Sequence, residues 1–261
     1  MTAEQLGGGV ANAGLVTREG DVVRRPAPPN AVTLHALLDH LAATDFVAPR
    51  PIAVDGDTEL VHFIPGDVAV PPFPAWSMSD DVLRDVGTFL RRYHEAVAGF
   101  DVPTGAAWSA ELADPHGGPI VCHNDACPEN VVFQDGRAVA LLDFDFAAPG
   151  RPVWDVAQSA GYWCPLTDPG LADEIRRPPF DPFDRLATFV DAYGLGDEER
   201  RTFVDVYIET EEVSVKFVLG QIAQGHRHFT EMWRNGGEGR FEHKMRWLDA
   251  NRSRLGEAVV R

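Results

Sequence analysis

Apolar and polar positions change period several times along the 261 residues, and the changes mark the elements. Asp21-Val22-Val23-Arg24-Arg25-Pro26 predicts a strand, with Val22 and Arg24 sharing one face. Val32 to Leu41 carries apolar residues at helical spacing and predicts an amphipathic helix. Glu59 to Ile64 predicts a second strand, closed by the Pro65-Gly66 turn. In mid-chain, Pro119-Ile120-Val121-Cys122 is a short apolar run. Two more, Val131 to Phe133 and Ala138 to Leu142, flank Asp135-Gly136, a dipeptide suited to a tight hairpin. Beyond Trp154 the pattern turns helical. Pro182 to Tyr193 is an amphipathic segment ended by Gly194, and Asp197-Glu198-Glu199 opens the next helix with acids that its dipole favours. Phe203, Val206, Tyr207, Val213, Phe217, Val218 and Ile222 mark a long core helix. Trp233 to Arg254, broken at Gly236-Gly237, reads as a final basic helix.

The chemistry concentrates between the mid-chain apolar runs. His123-Asn124-Asp125-Ala126-Cys127-Pro128-Glu129-Asn130 sets an acid and an amide five residues apart, and Asp143 follows at the end of the next strand. Asp125 can accept a proton from a substrate hydroxyl, while Asn130 and Asp143 offer hard oxygen ligands for Mg²⁺. Strand, polar loop and hairpin together deliver all three to one cleft mouth. Ordinary loop formation explains each residue singly, but not the set.

The segment "VCHNDACPENVVF…ALLDFDFAAPGRPVWDVA" resembles the aminoglycoside phosphotransferase family, relatives of choline kinase and the protein kinases. The resemblance implies an α+β, two-lobed, protein-kinase-like fold: a small antiparallel β lobe with one helix and hinge over residues 1–66, and a larger, mainly helical lobe over 67–261. It assigns catalysis to Asp125, metal binding to Asn130 and Asp143, and structural support to His123 and Asp155. ATP or GTP with Mg²⁺ is the implied cofactor. Asp145 stands where many kinases have glycine, to touch a second metal or simply cap a turn.

In the amino-terminal third, the glycine-rich turn Gly7 to Gly14, which includes Gly8 and Gly9, allows close backbone approach to phosphates. The family's phosphate-binding Lys has no counterpart, since the first Lys is Lys216. Arg24 is expected in that role, with Arg25 the alternative. The helix residue that pairs with this cation is also missing: its nearest match is His35, and Asp39 could substitute. Backbone groups of His62, Phe63 and Ile64 are expected to meet the nucleotide base.

Composition narrows the choice of partner. The net charge of −17 argues against nucleic acid. Residues 1–66 carry eight acids and four Arg, a net of −4, which leaves −13 for the rest. An acidic larger lobe attracts cations, so the expected acceptor is an amine-bearing alcohol such as an aminoglycoside, with Asp168, Glu209 and Glu212 as candidate ammonium partners. Choline, homoserine and macrolides are alternatives, as is a non-catalytic binding or immunity role on a degenerate kinase fold. No apolar run approaches the ~18 residues of a membrane span. Three Cys without CxxC spacing suit reduced thiols and a cytoplasmic protein.

Overall fold

A computed structural model describes residues 4–6, 14–172 and 177–261; Gly8 and Gly9 lie outside the described residues. Five antiparallel strands form the amino-terminal sheet in the order β1 (Glu4–Gln5), β2 (Thr17–Glu19), β3 (Val22–Pro26), β5 (Thr58–His62) and β4 (Pro51–Asp55). Helix α1 (Ala31–Ala42) crosses between β3 and β4, burying Leu34, Leu37, Leu38 and Leu41 at the i, i+3, i+4, i+7 spacing that its sequence predicts.

The register of β3 against β5 corrects one expectation. Arg25 lies opposite Glu59, Val23 opposite Val61, and Arg24 opposite Leu60. Val61 and Glu59 are buried, so Val23 and Arg25 face inward and Arg24 is exposed. Alternation alone left the phase open, because Val22 and Val23 are adjacent and either can set the inner face. The buried partner strand decides it.

The sheet connects to the rest of the molecule through Phe63 to Asp67. Phe63 N–H donates to the Asp21 carbonyl at 2.9 Å, and Asp67 and Phe133 exchange backbone hydrogen bonds of 2.9 and 2.8 Å. Gly66, at φ +144°, passes so close to the hairpin that a Cβ there would sit 2.4 Å from Val132 Cγ1 and 2.7 Å from the Phe133 oxygen. Only glycine fits that crossing.

The larger region is mainly helical. Ser79 caps α2 (Asp80–Val97), whose buried stripe includes Leu83, Val86, Phe89, Leu90 and Tyr93. Helix α3 (Pro152–Trp163) is followed by α4 (Pro182–Tyr193), which Asp181 caps and Gly194 ends at φ +82°. Helix α5 (Asp197–Ala223) begins at the predicted acids. A short α6 (Arg227–Met232) leads into an irregular turn with Gly236 at φ +93°, and α7 (Glu238–Val260) starts after this break and ends beyond Arg254. Trp154, Trp163, Tyr93, Phe133, Phe144 and Phe189 are among the largest buried side chains of the shared core.

Two small ladders are set into this helical body. Strand β6 (Ile120–Cys122) pairs with β9 (Ala148–Gly150), and β7 (Val131–Gln134) pairs with β8 (Arg137–Leu141) across Asp135-Gly136. Both turn residues have positive φ, +50° and +75°, as a two-residue hairpin turn requires.

Candidate active site

The polar loop begins where β6 ends, and a buried carboxylate fixes its shape. Asp155, fully buried in the first turn of α3, accepts from the backbone N–H of His123 at 2.7 Å and of Asn124 at 2.8 Å. His94 Nε2 of α2 lies 2.9 Å from the same carboxylate, and Tyr193 of α4 contacts His94 Nδ1 at 2.7 Å. Burial works to raise the Asp155 pKa, but these partners outweigh it and hold the carboxyl below its ordinary value. Asn124 takes the left-handed conformation, φ +65°, between these two anchored amides and Asp125.

His123 completes the loop from inside. Burial pushes its pKa down and keeps the ring neutral. Nε2–H then donates to the Leu142 carbonyl at 2.8 Å, while Nδ1 accepts from the Asp125 N–H at 3.2 Å. One imidazole thus ties the Asp125 backbone to the strand end that carries Asp143.

The Asp125 carboxylate accepts from Asn130 Nδ2 at 2.9 Å and from the Tyr162 hydroxyl. Burial and then the charge of Asp143 push its pKa up to about 7, well placed for a group that must hold and release protons near neutral pH. Asn130 also donates to the Asp125 carbonyl at 2.9 Å. Its amide hydrogens are thereby committed, leaving Oδ1 for a cation. Asp143, left-handed at φ +59°, stands at the end of β8. Among the described residues no three His, Cys, Asp or Glu side chains form a metal cage. Two hard oxygens with phosphates and water completing the shell is the pattern that Mg²⁺ favours, so the donor set fits that ion.

Opposite these residues, the sheet contributes Arg25. Its guanidinium reaches Glu59 at 2.5 Å, Asp143 at 3.0 Å and Asp145 at 2.9 Å. Burial opposes its charge, but the three carboxylates outweigh burial and keep it a cation. Asp145 is itself pushed up to about 6, by burial and then by Asp143. Glu59 is fully buried, and its second oxygen meets His35 Nε2 at 2.6 Å. The acid missing from the helix therefore stands on β5, with His35 of α1 behind it, while Asp39 is exposed. Sequence reasoning missed Glu59 because strand pairing, not helical spacing, brings it to Arg25. It also missed Tyr162, which only the packing of α3 delivers to Asp125.

A cleft of about 400 Å³ runs between sheet and hairpin, bordered by Arg25, His62, Phe63, Ile64, Asn130 and Asp143. The expected hinge segment and two of the three loop and hairpin residues thus share one cavity. The candidate acceptor acids do not converge. Asp168 caps a short turn and faces His243 at 3.4 Å, Glu209 is held by His116 and Arg151, and Glu212 is exposed. Asp168 lies beside His243, Glu209 pairs with Arg151, and Glu212 is exposed on α5. A second cavity, of about 340 Å³, lies beside Tyr162 and is bordered by Gly161, Thr167, Arg177, Glu211, Arg240 and Lys244.

Comparison with known proteins supplies the family and the fold. Residues 101–189 match the phosphotransferase enzyme family. The chain is 32% identical over 202 residues to the trifolitoxin immunity protein of Rhizobium leguminosarum bv. trifolii, covering 74% of this chain and 75% of that one. A homoserine kinase of Granulibacter bethesdensis is 24% identical over 213 residues, and the chain spans 63% of its length. Among solved structures, a choline/ethanolamine kinase family protein from Mesorhizobium loti superposes with a TM-score of 0.66 at 19% identity, over 100% of this chain and 92% of that one. An amicoumacin kinase in complex with AMP-PNP, Ca²⁺ and Ami gives a TM-score of 0.66 at 12% identity, over 95% and 88%. These likenesses share the two-lobed kinase-like fold, and by its sequence the chain belongs to the phosphotransferase enzyme family.

Proposed function

We propose that this protein is a small-molecule kinase that transfers the γ-phosphoryl group of a nucleoside triphosphate to an acceptor hydroxyl. The observation that carries the reading is that Asn130 and Asp143 border the cleft, Asn130 is hydrogen-bonded to the Asp125 carboxylate, and the half-buried Arg25 faces Asp143. ATP would lie in the cleft, its base near the backbone of His62 to Ile64 and its phosphates toward Arg25. Mg²⁺, held by Asn130 and Asp143, would supply charge neutralisation on those phosphates. Asp125 orients the acceptor hydroxyl and takes its proton as the phosphoryl group arrives. Tyr162 and Asn130 hold the carboxylate in place, and Asp155 with His123 fixes the loop that presents it. The three cysteines are buried and unpaired, which suits a cytoplasmic setting.

The likeness to an immunity protein favours a second reading, in which the fold protects its host from a toxic molecule. Protection through phosphorylation keeps the same chemistry; protection by binding alone does not need Asp125. Wild type and Asp125→Asn, compared for phosphoester formation from Mg²⁺–ATP across a panel of hydroxyl acceptors, separate these cases. The kinase reading requires turnover that the substitution removes. Nucleotide binding with no phosphoester on any acceptor supports the binding role.

A further inference from the structure

We infer that the cavity beside Tyr162 binds a carboxylate, so that the acceptor is a small hydroxy acid rather than an amine-bearing alcohol. This rests on the kinase reading above and names the substrate class of the same site.

The cavity runs against the charge of its surroundings. Residues 67–261 carry a net −13, yet among the described residues the cavity wall holds Arg177, Arg240, Lys244 and a single acid, Glu211. Glu211 is already engaged, with Lys244 Nζ 2.5 Å from its carboxylate. No acid there is left for an ammonium group among the described residues.

Arg177 carries the argument furthest. Its guanidinium lies 3.8 Å from the centre of the Phe73 ring, donates to the Tyr162 carbonyl at 2.7 Å, and places Nη1 2.9 Å from the Met78 thioether. Among the described residues no carboxylate comes within ion-pair distance of it. Burial, and then the nearby Arg185, push its pKa down to about 10. Glu129 acts on it only from beyond ion-pair distance, so among the described residues its charge has no paired carboxylate; such burial is costly for a guanidinium, and an anionic ligand offsets that cost. Its planar fork suits a carboxylate.

Position links this cation to the chemistry. Tyr162 holds Arg177 through its backbone oxygen and Asp125 through its hydroxyl. An acceptor whose carboxylate meets Arg177 can therefore extend along one tyrosine toward the catalytic acid. Glycerate, L-serine and L-homoserine each pair a hydroxyl with a carboxylate at short separations.

The test uses pairs that differ only by decarboxylation: L-homoserine against 3-aminopropan-1-ol, L-serine against ethanolamine, glycerate against ethylene glycol. Each is assayed with the full chain for turnover with Mg²⁺–ATP and for melting shift with Mg²⁺–AMP-PNP present. At least one acid should be phosphorylated or should raise the melting temperature more than its decarboxylated partner. Arg177→Met should weaken that acid about tenfold or more while leaving the AMP-PNP shift and the KM for ATP unchanged, and Arg177→Lys should recover part of the loss. Should Arg177→Met fail to fold, Lys244→Gln at the same wall takes its place, with the same expectation for acid selectivity. A decarboxylated partner that matches or exceeds its acid in every pair overturns the inference, as does a panel in which no acid acts on the wild type. So does an acid effect untouched by the substitutions. Loss of the wild-type AMP-PNP shift instead strikes the kinase reading itself, so the two failures remain distinct.

Discussion

Asp125 is held in an environment that raises its pKa and costs the fold stability at neutral pH. Its pKa of about 7 in the fold, against an ordinary 3.8, means that between these values the folded chain holds a proton the unfolded chain has lost. Its contribution to stability therefore falls as pH rises from about 4 to about 7, and stays low above that. Asp125→Asn should lower turnover by roughly 10²–10⁴-fold. Without Mg²⁺ at pH 8 it should also stabilise the fold by about 1 kcal/mol or more, since one pK unit corresponds to ~1.4 kcal/mol. Activity assays and thermal melts at pH 5 and pH 8 check both signs. Arg24 and Arg25 make a second contrast. Arg25→Ala removes a cation bound to three carboxylates and should sharply weaken Mg²⁺–ATP binding, whereas exposed Arg24→Ala should alter stability by no more than ~0.5 kcal/mol and leave the KM for ATP unchanged.

Asp155 shows how elements converge on the loop, joining α3 to α2 through His94 and to the end of β6 through two backbone amides. Asp155→Ala strands those buried N–H groups and should cost about 3 kcal/mol, with loss of activity following from the displaced loop. Because its folded pKa lies below the ordinary carboxylate value, the stabilisation is complete above about pH 4 and is lost as pH falls through the folded value. Acid melts of wild type and variant should therefore converge at low pH. Much of this level was legible in the chain. The Asp135-Gly136 hairpin and the helix boundaries at Gly194 and Asp197 follow from local turn and capping chemistry. Pairings between distant elements were not legible: Arg25 with Glu59 depends on strand register, and Tyr162 with Asp125 on how α3 packs. Helix α2 has a regular apolar stripe, but its functional link, His94, shows only when Asp155 is placed beside it.

Across the whole molecule, the sequence motif and the cleft describe one arrangement. Hairpin and loop deliver the acids from one side, the sheet delivers Arg25 from the other, and the Phe63 to Asp67 crossing ties the two together at Gly66. Gly66→Ala should disturb that crossing and weaken nucleotide binding, which titration with Mg²⁺–AMP-PNP would measure. Overall charge and the charge around one cavity differ in this molecule. A net of −17 sets the expectation of a cationic acceptor, yet Asp168, Glu209 and Glu212 are not among the residues bordering the second cavity, where three of the four charged side chains are basic. Charge summed over a surface does not report the charge at one cavity wall.

The central claim is phosphoryl transfer by Asp125, and its most direct test is ³¹P NMR of Mg²⁺–ATP with a mixed panel of hydroxyl acceptors, run in parallel with wild type and Asp125→Asn. The account predicts a new phosphoester signal growing in step with ADP for the wild type and absent for the variant, with both proteins folded and both binding nucleotide. A phosphoester formed equally well by Asp125→Asn would contradict it.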